Sequence, residues 1–213
     1  TGVLVVEVER LARGNTLDQG IISNAFQYSN TKIITPIKIY DPSNEFDQEY
    51  FEFGLFMSRR EYKTINRRLQ NGRTTSATQG KFPASRAPYG YKRKKIEHDK
   101  GWTLEIIPEQ ADTIKCIFDL YAYQNMKPAD ICKYLDALNI KPLKSNTWSS
   151  NSIRDILSNP IYAGKIRWKD RKVVKVVKDG KIINTQPVNK GNDVILVEGL
   201  HQPIIDNKTF ELV

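Results

Sequence analysis

Cysteine is scarce in this chain: Cys116 and Cys132 are the only two among 213 residues. Two thiols exclude a disulfide framework, and with only His98 and His201 beside them, widely spaced in the chain, a complete four-ligand structural zinc site is not expected. Long apolar runs are missing as well. The strongest, Val3-Leu4-Val5-Val6, is strand-sized, far below the ~18 residues of a membrane helix. Mean hydropathy is −0.51. No segment has the layout of a signal peptide. These absences lead us to expect a reducing, cytoplasmic protein with no metal, no cofactor and no membrane partner. The chain opens on Thr1 rather than Met, and we read it as a piece of a longer protein.

What the chain has is charge, and its distribution is uneven. Lys and Arg number 33 against 24 Asp and Glu, a net +9. Residues 1–58 hold four basic and eight acidic side chains, whereas residues 59–100 hold thirteen basic and three acidic. The middle fifth therefore carries more than the whole excess. Such segregation favours a polyanionic partner met by one segment, with a merely solvated basic face as the alternative.

Periodicity divides the chain. Gly2–Glu7 reads as a short buried strand, rich in β-branched residues. A polar turn, Arg10 to Arg13, leads to Asn15, which can cap a helix running to about Tyr28 with Leu17, Ile21, Ile22 and Phe26 inward. Lys32–Tyr40 is β-rich again and is broken by Asp41-Pro42-Ser43-Asn44. Strand, helix, strand in under ~40 residues is a βαβ unit of a larger parallel sheet. Phe46 to Asn71 is one long helical pattern. Its first half is apolar nearly all round and its second half, through Arg67 and Arg68, is basic; Asn71-Gly72 offers an end. Arg73 to Pro88 has no periodicity and reads as an extended linker.

Beyond it, Trp102–Ile107 is strand-like and Pro108 opens a helix to about Tyr123. A helix follows Pro128 with Ile131, Leu135 and Leu138 inward. Another begins at Ser149-Ser150 and uses Ile153, Ile156 and Leu157. Residues 161–200 suggest β-hairpins, clearest at Lys178-Asp179-Gly180-Lys181. A last amphipathic segment opens at Pro203. Cys116 and Cys132 fall within amphipathic helices and read as core, as do Trp102, Trp148 and Trp168.

Three groups of residues could carry chemistry. Glu9-Arg10-Leu11-Ala12-Arg13 leaves a strand at its carboxyl end, where sites form in parallel sheets. Arg10 and Arg13, with a carboxylate to orient one of them, suit a phosphate whose charge grows in a transition state. An ordinary acid-paired surface turn has the same composition. In the linker, Arg73, Lys81, Arg86, Lys92 and Arg93 alternate with small residues and with Tyr89 and Tyr91, as in segments that track a phosphate backbone. A disordered, merely solvated linker is the plainer reading. The helix after Ser149 pairs with the one before it, and turns Ser152 and Arg154 outward, the pattern of a helix placed in a major groove; an ordinary helical hairpin is its alternative. Arg167, Lys169, Arg171, Lys172, Lys175 and Lys178 follow on the hairpins and could hold flanking phosphates.

The order of these features resembles the large serine recombinases. Val3 to Arg13 is similar to the Asp-Arg-Leu-x-Arg element of their catalytic domain, with Glu9 in place of Asp. The helix ending Arg60 to Gly72 resembles their oligomerisation helix. Gly80-Lys81-Phe82-Pro83 to Ala87-Pro88-Tyr89-Gly90-Tyr91 is similar to the entry of their recombinase domain, and Asn159-Pro160-Ile161-Tyr162-Ala163-Gly164 to that domain's Asn-Pro-x-Tyr-x-Gly element. The resemblance implies an α/β remnant of a parallel-sheet catalytic domain (1–45), a long connecting helix (46–72), a basic linker (73–88) and an α+β, helix-turn-helix-like DNA-binding domain (89–200). The start of a further domain would follow at 201–213.

The resemblance also implies a metal-free reaction. A serine attacks the DNA phosphodiester, arginines steady the charge, and subunits exchange strands before religation. Arg10, Arg13 and Glu9 would be the catalytic residues kept here. No Ser precedes Glu9, so this stretch alone is expected to bind DNA without cleaving it. The DNA-binding set would be Arg67, Arg68, Arg73, Lys81, Arg86, Tyr89, Tyr91, Lys92, Arg93, Ser149, Ser152, Arg154, Arg167 and Lys169. The implied partners are a double-stranded attachment site and further copies of the protein, in a bacterial or phage-encoded mobile element. A non-catalytic DNA-binding regulator is the alternative. RNA is disfavoured by the lack of clustered aromatics.

Overall fold

β-branched residues near the N-terminus build the first sheet. β1 (Gly2–Leu4) lies parallel to β2 (Lys32–Ile34), with Val3 opposite Ile33. α1 (Thr16–Tyr28) is the crossover between them, and β3 (Ile39–Tyr40) returns antiparallel on β2. The computed structural model describes residues 1–11 and 16–213, which divide into two units, Thr1–Asn71 and Gly72–Val213.

The expected βαβ unit is present, with corrections. β1 is not buried: Leu4 is 81% exposed, because β2 is the only described strand beside it. α1 turns a different face inward. Leu17 and Ile21 are exposed, and Gln19 and Ser23 are buried beside Ile22 and Phe26. The cause is polar packing on the next helix: Gln19 Nε2 donates to the Leu55 carbonyl at 2.6 Å and Ser23 Oγ to Glu52 at 2.9 Å. Asn15, the expected cap, lies outside the described residues.

α2 (Glu45–Thr78) starts where the Asn44 carboxamide accepts from the Phe46 and Asp47 amides. Phe51 and Leu55 are buried in the first unit's core with Val8, Ile33 and Tyr40, whereas Phe46, Tyr50, Phe53 and Phe56 are exposed. The helix does not end at Asn71-Gly72. A single Gly costs a helix only ~1 kcal/mol against Ala, and no Pro follows before Pro83. The end comes at Gly80, at φ +72, where the Gly80 amide bonds to Ala77 O and the Lys81 amide to Ser76 O. That is a Schellman closure. Residues 73–78 are therefore helical rather than extended.

In the second unit, β4 (Tyr91–Lys95) and β5 (Trp102–Ile106) form an antiparallel hairpin. α3 (Pro108–Ala122), α4 (Pro128–Ala137) and α5 (Ser150–Leu157) follow as expected. Ile114, Ile117, Phe118, Ile131, Leu135 and Ile153 are fully buried at their centre. Leu138 and Trp102, expected inside, are exposed, and Trp168 is only part-buried against the core. Cys132 is buried and Cys116 half-buried, and burial pushes both thiols up. β6 (Lys165–Trp168) pairs with β9 (Ile195–Glu198), and β7 (Val174–Lys178) with β8 (Lys181–Thr185). Asp179 and Gly180, both at positive φ, make the two-residue turn of the latter hairpin. α6 (Asn207–Glu211) closes the described chain on an Asp206 cap.

The Asn159–Gly164 element is structural. The Asn159 side chain accepts from the Ile161 amide, and Tyr162 is buried with its hydroxyl donating to the Tyr89 carbonyl at 2.9 Å. Gly164 takes φ +82 and accepts from the Gly199 amide at 2.7 Å.

Candidate nucleic-acid interface

α5 is eight residues long and polar outside, so its placement depends on its start. Trp148 supplies it. The Trp148 amide donates to Asp136 Oδ1 at 3.2 Å and its indole N–H to the Ile140 carbonyl at 2.7 Å, with Tyr89 edge-on to the ring. Ser149 and Ser152 then form a reciprocal capping box, each hydroxyl accepting the other's amide at 3.1 Å. Ile153, Ile156 and Leu157 face the core. Outward stand Asn151, Arg154, Asp155 and Ser158, all exposed. Arg154 Nη1 reaches Asn151 Oδ1 at 3.4 Å. Sequence reading misses Asn151; its i−3 spacing from Arg154 on a capped helix is the signal that could have found it.

A groove of about 410 Å³ runs beside α5 between residues 82–88 and the end of β6 with the turn after it. Arg86, Arg167 and Arg171 line it, with Asp155 and Asp170. Arg167 Nε lies 3.3 Å from Asp170 Oδ2, while Arg86 and Arg171 are exposed. Lys169 is exposed next to this groove's Trp168 and Asp170, in the left-handed region at φ +62.

Other residues of the expected set are committed elsewhere. Lys81 is buried, its ammonium 2.6 Å from Asp99, whose carboxyl that contact holds below its usual range. Tyr91 is buried and donates to the Gln202 carbonyl at 2.9 Å; burial drives its phenol upward. Neither is offered to a phosphate. Tyr89 is half-buried against Trp148. The hydroxyls of Ser149 and Ser152 are held in the capping box. Arg93 stacks 4.1 Å over Trp102 and donates to the Ser85 carbonyl, which explains why Trp102 lies at the surface. Lys92 is exposed, with Glu105 at 3.6 Å. Arg67, Arg68 and Arg73 are exposed along α2.

In the first unit, Arg10 ends the short turn after β1 and is exposed. Its Nε meets Glu7 Oε2 at 3.1 Å. Together with Arg60, Glu61 and Arg68 these two line a groove of about 920 Å³. The carboxylate seen on Arg10 is thus that of Glu7. Arg13 and the Glu9 side chain lie outside the described residues. Among the described residues no group of three or more His, Cys, Asp or Glu could hold a metal ion, and no helix is long and apolar enough to cross a membrane.

Residues 108–213 match the family model described as Recombinase. That stretch, just under half of the chain, is a Recombinase domain. Among solved structures, it is similar to a chain of one described as "Crystal Structure of a LSR-DNA Complex", at 22% identity and a TM-score of 0.45 over 68% of this chain and 35% of that one. A chain from work on the "Sequence Requirements of the Listeria innocua prophage attP site" matches at 21% identity and a TM-score of 0.42, over 68% of this chain and 48% of that one. The chain thus spans a third to a half of the solved chains it resembles.

Proposed function

We propose that this chain is part of a large serine recombinase and that its second unit holds the enzyme on a double-stranded attachment site. The Recombinase match over residues 108–213 carries the reading. Within that stretch α5 is the element suited to a major groove: anchored by Trp148, capped by its own serines, and bearing Asn151 and Arg154 outward. The groove with Arg86, Arg167 and Arg171 sits alongside and suits the flanking phosphates. Arg67, Arg68 and Arg73 add exposed basic side chains around α2.

In this reading the first unit is the end of a catalytic domain, and Arg10 and Arg13 steady the phosphate during attack by a serine. Copies of the protein assemble on paired sites, inside the bacterial cell, to exchange strands for a mobile element.

A salt series tests the DNA reading. Affinity of the chain for a labelled duplex should fall linearly with salt on logarithmic axes, by about 0.9 unit for each phosphate neutralised. Arg86→Ala with Arg171→Ala should flatten that slope. A salt-independent affinity would leave the reading without support.

A further inference from the structure

The hairpin β7–β8 forms a sheet of its own, and every strand residue except Thr185 is exposed. A two-stranded ribbon with both faces in water is marginal alone. Its faces differ. Lys175 stands opposite Asn184 and Val177 opposite Ile182, so these four share one face; Val174, Val176, Lys178, Lys181, Ile183 and Thr185 share the other. Val177 and Ile182 are 73% and 67% exposed, against 38–40% for Val174, Val176 and Ile183. The first face is the barer one.

Charge indicates what the ribbon as a whole meets. Arg171 to Gln186 carries five basic residues and one acidic. Lys178 and Lys181 stand directly opposite each other next to the turn, a like-charge pair that is unfavourable unless an anion lies between or beside them. A second copy of the same ribbon would worsen that repulsion, whereas a polyanion relieves it. A two-stranded ribbon fits a major groove, where Asn pairs with adenine, Lys with guanine, and aliphatic groups contact the thymine methyl.

We infer that β7–β8 enters the major groove of duplex DNA, with Lys175, Val177, Ile182 and Asn184 against base edges and Lys178 and Lys181 at phosphates. The inference rests on the DNA-binding reading above and adds a second reading element beside α5. The test is selection of duplexes from a random library by the full chain, by Asn184→Ala and by the double variant Val177→Ser with Ile182→Ser, each checked for an unchanged circular-dichroism spectrum. The wild type should enrich a motif, and each variant should lose about five- to 150-fold of the preference at one contiguous block of it. Replacing thymine by uracil within that block should weaken the wild type and leave the double variant unmoved. Unchanged motifs in both variants, or an equal loss on all sequences, would overturn the inference while the DNA-binding reading stands. A wild-type chain that retains no duplex at all would overturn both.

Discussion

Tyr162 closes the second unit's core: its ring lies against Tyr91 and Phe118, and its hydroxyl reaches the Tyr89 carbonyl. Removing only that hydroxyl, in Tyr162→Phe, takes the donor from a part-buried carbonyl and should lower unfolding free energy by about 1 kcal/mol in a denaturant titration. His201 behaves differently. It is buried, its Nε2 lies 2.8 Å from the Ile161 carbonyl, and burial lowers its pKa. The unfolded chain therefore takes up a proton on this ring before the native state does. Stability is complete above the ordinary histidine pKa of ~6.5 and declines as pH falls below it. His201→Gln should make the melting temperature less sensitive between about pH 7 and 5; equal sensitivity would remove His201 as the cause. Arg10 is exposed and meets Glu7 at the surface. In a recombinase that includes the nucleophilic serine, Arg10→Ala should slow cleavage by ~10²–10³ with little change in DNA affinity. Normal cleavage would refute its assignment.

Among the elements, α2 shows what a sequence reveals and what it hides. The long helical pattern is plain, yet two glycines offer an end, Gly72 and Gly80. Gly72 is helical, and a methyl group added there would meet nothing within 4 Å, while at Gly80 a Cβ would come 2.5 Å from the Glu198 carbonyl oxygen at φ +72. Gly72→Ala should therefore stabilise the protein by about 0.5–1 kcal/mol. Gly80→Ala should destabilise it, and the two melting curves should move in opposite directions. The deciding contact comes from a strand distant in the chain, which no local pattern reports. β4 is hidden for another reason: Lys92-Arg93-Lys94-Lys95 has no apolar alternation, and Arg93 is held by the Trp102 ring. α5 is legible because its apolar spacing and its serine cap agree. Lys81 and Tyr91 read as partners for phosphate because their burial depends on Asp99 and Gln202, which sequence spacing does not connect to them.

For the whole molecule, the charge segregation of the sequence divides between structure and surface. Part of the basic middle segment is committed to internal contacts, as with Lys81 and Arg93. The exposed remainder includes Arg67, Arg68 and Arg73 on α2 and Arg86 in the α5 groove. In the proposed DNA-binding role, affinity falls to many residues and recognition of base sequence to few. The most direct measurement of that division is a pair of titrations, on a duplex carrying the selected motif and on its scrambled counterpart, at one fixed salt concentration, for the wild type and Arg154→Ala. Arg154→Ala should weaken binding to the selected duplex by about 1–3 kcal/mol and leave the scrambled one nearly unchanged. An equal loss on both duplexes would contradict it.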